Sequence, residues 1–325
     1  MAFTQEHAQV LAATHAEFIK GVEDGITEEN ALLMLLQKRG RVVKGTSGTH
    51  LEWRVRKQAN TTVSGWRGMD EISFVRENYY DTAKLNWKGY AGSYTVEWWH
   101  AQQNRGENAI FDLQKEELAW LKSDIYEKME NGLFDDGTAD SSKGFEGLQA
   151  FIKATGTYAN IAQTNAYWMA QVIAGNAGPG ASFATDAIER MATAFVQAGR
   201  GGGPRGKAGQ IHCWMTDRST WVVVHSKIQV NERFGYGRDE STAEAGFENI
   251  LVMGRPMYWS DSAPATKLFG KNLDTIEVVC TTPDLLVADS KLLLSPKAFV
   301  GTVVSMANMR CTSPRYNVVI NNTNT

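Results

Sequence analysis

The chain has 325 residues and a mass of 36.0 kDa, enough for a full core and for two or more domains. Its 33 basic and 36 acidic side chains leave a formal net charge of -3, which removes any overall attraction for nucleic acid and leaves that role to local patches. No run of 18 apolar residues occurs, and MAFTQEHAQVLAATHAEF lacks a basic region followed by an apolar block, which excludes a spanning helix and a secretory signal and points to a cytosol.

Residues 1–40 read as an amphipathic leader. Thr27 is placed to cap a helix, Glu28 and Glu29 fall in its first turn, and Lys38 and Arg39 precede Gly40, the charge order that suits a helix dipole. Between them Leu32, Leu33, Met34, Leu35 and Leu36 are consecutive. A leader this apolar needs a partner surface, so Leu32, Leu33, Leu35 and Leu36 are candidate contact residues.

Residues 41–98 differ in kind. THLEWRVRKQ alternates Leu51, Trp53 and Val55 with Glu52, Arg54 and Arg56, the period of a strand with one wet face. The return leg FVRENYYDTAKLNWKGYAGSYTVEWW is rich in strand formers, and ANTTVSGWRGMDEI between the legs is a polar, glycine-containing tip. Two strands cannot bury a face against each other, so the ribbon must lie on something else, expected to be another subunit. Trp53, Arg54, Arg56, Lys57, Trp66, Arg67, Asp70 and Glu71 are the candidate contacts.

From 104 to 131 the pattern is a long helix with Ile110, Leu113, Leu118, Leu121, Ile125 and Met129 on one stripe. In the turn-rich segment after it, Asp136, Thr138 and Asp140 faintly mimic a calcium loop, but Ser141 and Gly147 stand where its glycine and glutamate belong. The second half alternates helix and strand. FATDAIERMATAFVQAG spaces Ala187, Ile188, Met191, Ala194, Phe195 and Ala198 as a helix ending at Gly199. STWVVVHSKI and NILVMGRPMYWSD read as β-branched apolar runs, and TIEVVC, KLLLS, FVGTVVSM and YNVVINN as strands. The fold class is α+β.

Gly201, Gly206 and Lys207 have the spacing of a phosphate-binding loop, but Ala208 replaces the hydroxyl that would ligate magnesium, and the order is helix to strand instead of strand to helix. The segment reads as an exposed loop. The six histidines include no H-E-x-x-H and no zinc spacing, and no G-x-S-x-G occurs. No enzyme, metal or cofactor is expected. Cys213, Cys280 and Cys311 read as buried free thiols.

The serial order of leader helix, long hairpin and spine helix, then GFEGLQAFIKATGTYANI, NAYW, GFENILVMGRPMYWSDSAPATKLFGKNLDTIEVV and KAFVGTVVSMANMRCTSPRYNVVINN, resembles the major capsid proteins of tailed bacteriophages, those with the Hong Kong 97-type fold. The resemblance implies an N-arm over 1–40, an extended β-hairpin loop over 41–98 reaching a neighbouring subunit, a peripheral domain over 99–144 and 285–325 with the spine helix at 104–131, and an axial domain over 145–284. Arg200, Arg205 and Lys207 would lie on an axial-domain loop at a subunit junction. It implies a homo-oligomer of pentamers and hexamers in an icosahedral shell around double-stranded DNA held non-specifically, a portal, separate scaffolding or decoration proteins, no membrane, and a place in the virion after assembly in the host cytoplasm. Some relatives cross-link a lysine of this loop to a neighbour's asparagine, a role for which Lys57 is a conceivable donor beside the plainer reading of a solvated lysine. An encapsulin-like compartment of the same fold is the alternative. A monomeric carbohydrate-active protein using the ten tryptophans is a third.

Overall fold

The computed structural model describes residues 31–103, 113–175, 182–199, 211–231, 250–282, 284–294, 297–321 and 323. The chain is α+β, and its two larger sheets each draw strands from distant parts of the sequence.

The strand Lys297–Cys311 is the centre of the first sheet. On one edge it pairs antiparallel with Lys88–Glu97, from Ala298↔Glu97 to Ala307↔Lys88. On the other it meets Val287–Leu294 along its first half and Ile276–Cys280 along its second, and Val42–Val43 adds in parallel outside Ile276–Cys280. At about 3.3 Å per residue such a strand spans about 50 Å, so two shorter strands fit end to end along one edge. Val303, Ala307, Met309 and Cys311 are buried, whereas Thr302, Val304 and Met306 are exposed. One face is therefore covered.

The cover is the spine helix Leu113–Phe134. Ile125, Met129 and Leu133 are buried and Leu118 and Leu121 pack against the same cluster, as the apolar stripe requires. Two glycines let helix and sheet come close: a Cβ on Gly92 would stand 2.5 Å from Leu121 Cδ1, and one on Gly132 would stand 2.1 Å from the Tyr90 hydroxyl. Residues 104–112 of the expected helix, with Ile110, lie outside the described residues. At the other end it runs three residues past Asn131, because Leu133 and Phe134 bury completely in the core and Gly132 makes room for Tyr90.

The second sheet has the order Gln171–Ala174, Val318–Asn321, Lys267–Lys271, Cys213–Thr216, Arg255–Trp259, Ile250–Val252. Two of its pairings are parallel, Val318–Asn321 with Gln171–Ala174 and Arg255–Trp259 with Cys213–Thr216. The helix Phe183–Gly199 lays Phe183, Ala187, Met191, Ala194 and Ala198 onto it, against Trp214, Met257, Val318 and Ile320. Cys213, Cys280 and Cys311 are buried and free.

Two readings of the sequence need correction. STWVVVHSKI lies in a helix, Arg218–Asn231, where a β-branched run was expected. Asp217 explains it: its Oδ2 accepts the amides of Ser219 at 3.0 Å and Thr220 at 3.3 Å, an N-cap at the head of the segment. Val224 is then buried while Val222 is exposed, and Trp221 stacks on His225 one turn on, with centroids 5.0 Å apart. Second, the sheets do not follow the expected segment boundaries. Ile276–Cys280 falls within 145–284 yet belongs to the first sheet, and Val318–Asn321 falls within 285–325 yet belongs to the second. Lys88–Glu97, expected in the hairpin, is a strand of the first sheet. Single sequence ranges miss this because hydrogen bonding couples strands by space, and the chain crosses between sheets after Lys271 and again after Cys311.

Candidate assembly surface

The hairpin pairs His50–Arg56 with Tyr80–Asn86, from His50↔Asn86 to Arg56↔Tyr80. Residues directly opposite share a face, so Leu51, Trp53 and Val55 line up with Leu85, Ala83 and Asp81, and Glu52, Arg54 and Arg56 with Lys84, Thr82 and Tyr80. The first face lies on the chain's own core. Leu51, Ala83 and Leu85 are buried there, Trp53 packs beside Trp168 with ring centroids 6.4 Å apart, and the Arg310 guanidinium sits 5.8 Å from the Trp53 ring centre. The Lys84 amide adds a bond to the Ala159 carbonyl at 3.0 Å. The base of the ribbon thus rests on its own chain, where support from another subunit was expected, and Trp53 is half-buried against that core. Arg54 and Arg56 are exposed on the outer face.

Where the ladder ends, three side chains meet. The Lys57 ammonium lies 3.2 Å from Asp81 Oδ1, and the Tyr167 hydroxyl donates to Asp81 Oδ2 at 2.6 Å. The Tyr167 bond, then Lys57, holds the Asp81 carboxyl below its usual range. Burial and the same carboxylate push Tyr167 up to about 12. Lys57 is thus engaged within its own chain.

Beyond this junction no helix or strand forms between Arg56 and Tyr80, and the side chains are nearly all exposed. The tip is nonetheless built. The Asp70 amide donates to the Arg67 carbonyl at 3.3 Å, closing a four-residue turn in which Gly68 has φ +63°. Asp70 Oδ2 accepts the Arg67 amide at 3.0 Å, and the Trp66 indole donates to the Asp70 carbonyl, also at 3.0 Å. Across the loop, Glu77 accepts the Thr61 hydroxyl, whose bond lowers the carboxyl below its usual range. Asp70 is therefore a turn former, and its effect is to present the apolar residues beside it: Met69 is fully exposed, Phe74 is 93% exposed and Trp66 is 62% exposed. Phe74 and Val75 are exposed although they read as the start of the return strand, and so is Ile72 at the end of the tip. The signal available was negative: FVRENYY does not alternate.

The arm behaves differently. Leu32, Leu33, Leu35 and Leu36, expected to seek a neighbour, are buried within this chain beside Ile125, Met129 and Leu133 of the spine. The helix Ala31–Lys38 carries them on one broad face, and the spine stripe supplies the surface the leucines require. At its head, Glu130 of the spine accepts the Leu32 amide at 2.7 Å and the Leu33 amide at 2.9 Å. At its foot, Arg41 bonds Glu277 and Asp274 at 3.1 Å each. Residues 1–30 lie outside the described residues, as do Arg200, Arg205 and Lys207.

The calcium-like segment is a turn occupied by its own chain. Asp136 Oδ1 accepts the Thr138 amide at 3.0 Å and its hydroxyl at 2.6 Å, while Lys128 pairs with Asp140 at 3.3 Å. Among the described residues no group of three or more His, Cys, Asp or Glu is placed to hold a metal ion, and no helix is long and apolar enough to cross a membrane.

Comparisons with family models and with curated proteins give no match. Solved structures do. Over 95% of this chain and 97% of the other, the chain is similar to the capsid asymmetric unit of cyanophage A-1(L), with 17% identity and a TM-score of 0.67. It is also similar to the encapsulin of the holo-SrpI complex from Synechococcus elongatus, with 12% identity over 99% and 96% of the two chains and a TM-score of 0.61. The capsid of a native GTA particle with C5 symmetry matches at 15% identity over 99% and 98%, with a TM-score of 0.57. At these identities the likeness is one of fold: the chain has the Hong Kong 97-type fold of tailed-bacteriophage capsid proteins.

Proposed function

We propose that this chain is a major capsid protein, a non-catalytic subunit that assembles through its hairpin tip into an icosahedral head shell around double-stranded DNA. The observation that carries the reading is a built turn that exposes Trp66, Met69 and Phe74 at the end of a rigid ribbon. Aromatic and methionine side chains offered this way mark an interface, since a monomer gains nothing from them in water. The ribbon's base is anchored, so its direction is fixed, and each subunit can present the same apolar knob to the next. Repeated contacts of this kind close a shell when the rotation relating neighbours closes.

In this reading the first sheet and the spine form the peripheral domain, the second sheet and its helices form the axial domain, and pentamers and hexamers, a portal, the host cytoplasm as assembly site and any scaffolding or decoration proteins follow as expectations of the capsid role. Glu71, Arg54 and Arg56 remain proposed contacts, with Arg200, Arg205 and Lys207 on the axial loop. The encapsulin likeness supports a second reading, a compartment with protein cargo.

Sedimentation of the purified full chain decides between subunit and monomer. Particles of megadalton mass are expected, and a species that stays at 36.0 kDa across concentration would overturn the proposal. Nuclease-protected DNA in particles from the native source favours the capsid; a protein cargo without DNA favours the compartment.

A further inference from the structure

The carboxylate that receives the head of the arm helix has an unusual setting. Glu130 is 1% exposed and lies on the spine face that the arm covers. Both oxygens accept arm amides, Leu32 and Leu33, and the arm helix that supplies them buries Ala31, Leu32, Leu33, Leu35 and Leu36. No basic side chain lies within 4.0 Å of it among the described residues.

From the other elements packed there, Lys271 acts on it; Cys213 acts in turn on Lys271, and Arg39 on Cys213. Lys271, wholly buried on the strand Lys267–Lys271, points its ammonium at the Met215 sulfur, 3.0 Å away, and lies over the Phe134 ring at 5.6 Å. Cys213, opposite Lys271 in the sheet, is a buried thiol. The described arm helix contributes only Lys38, at its far end.

Two amides and a distant ammonium replace the water that an exposed carboxylate would have, and a carboxylate short of partners in an apolar setting takes up a proton. If the arm lifts, the amides leave and water reaches Glu130, which then ionises as an ordinary glutamate.

We propose that docking of the Ala31–Lys38 arm on the spine binds a proton at Glu130, so that the arm is held more tightly as the pH falls and is loosened as it rises. The direction agrees with the electrostatics. Burial, the largest influence, outweighs the two amide bonds and the pull of Lys271 and raises the docked carboxyl to about 7. A group raised in the docked state favours docking at low pH, and that preference is lost as the pH climbs through the docked value. Burial also lowers Lys271 and raises Cys213, so Lys271 is the other group whose charge could follow pH here.

The arm thus becomes a hinged element whose release is set by proton concentration near neutrality, independent of whether subunits have assembled. Hydrogen exchange of the full chain, read on peptides covering 31–38 and corrected for the intrinsic pH dependence of exchange, measures the docking equilibrium directly. Protection is expected to fall about tenfold between pH 6 and pH 8, from a docked value near 7 against an ordinary glutamate.

Glu130→Gln, neutral at every pH, should abolish that fall. Lys271→Met removes the cation while keeping volume, and should move the fall to higher pH. Protection in the parent chain that is flat or rises with pH overturns the proposal without any variant having to fold. A fall that persists undiminished in Glu130→Gln overturns it too, because Lys271, lowered by burial, would make protection rise with pH and cannot supply it.

Discussion

The base and the tip of the hairpin are continuous in sequence and opposite in character. At the base, Leu51, Ala83 and Leu85 are sealed into the subunit core and every residue from His50 to Arg56 has a ladder partner. At the tip, order comes from the turn held by Asp70 and the Thr61–Glu77 bond across the loop, and the largest side chains face outward. The base is a problem of folding solved inside one chain, and the tip is the exposed apolar surface proposed above to meet a neighbour. Changes at the two ends should therefore separate stability from assembly.

The largest effect is expected from removing the tip. Lys57 donates its amide to the Tyr79 carbonyl at 2.9 Å, so replacing 58–78 by Asn-Gly closes the ladder with a two-residue turn of the kind that suits its twist. Trp66, Met69 and Phe74 go with it. The variant should melt within about two degrees of the parent, because surface removals cost little, yet sediment as subunits or small oligomers under conditions where the parent forms shells. Shells of parental size would break the comparison from one side. A fall in melting temperature like that of a core mutant would break it from the other.

The next effect belongs to the base. Leu85→Ala empties a buried position opposite Leu51 and should cost about 2–5 kcal/mol of subunit stability, as deletions of buried leucines do. Chemical denaturation followed by tryptophan fluorescence reads the loss. Any assembly defect here should disappear when the temperature is lowered enough to refold the subunit, which the tip deletion cannot imitate. A cost under half a kcal/mol would mean that the base rests on the core only loosely.

These ends were not equally legible in the sequence. The alternation of Leu51, Trp53 and Val55 located the first strand and its inward face; what lay beneath that face was invisible, because Tyr158, Trp168 and Phe151 come from a segment about a hundred residues away. The spine stripe from Leu118 to Met129 was readable for the same reason of period, whereas its extension to Phe134 depended on Tyr90 filling the space that Gly132 leaves. The arm leucines announced a need for cover but not its source. Val222, Val223 and Val224 have the local β propensity of a strand, and the Asp217 cap at the head of the segment overrides it. Phe74 reads as part of the return strand, but the ladder stops at Tyr80 and leaves it the most exposed aromatic of the tip. The buried Glu130 carried no local signal at all: its meaning lies in two amides nearly a hundred residues away.

The smallest effect lies at the junction between the two ends, where Asp81 ties Lys57 on one leg to Tyr167 of the body. A third of the Asp81 side chain is exposed, so solvent screens the pair, and Asp81→Asn should cost no more than about 1 kcal/mol. The pH dependence identifies the source. The folded carboxyl is held below its ordinary value, so its contribution is present above that ordinary value, near pH 4, and is lost as the pH falls through the lower folded value. Tyr167, raised to about 12, stays a donor throughout. The difference in melting temperature between parent and Asp81→Asn should then be constant from pH 5 to pH 8 and shrink only in stronger acid, with Tyr167→Phe giving a similar small loss. A difference that shrinks between pH 5 and pH 8 would point to another titrating group. One as large as that of Leu85→Ala would place the junction with the base and make the tip a rigid extension of the folded core.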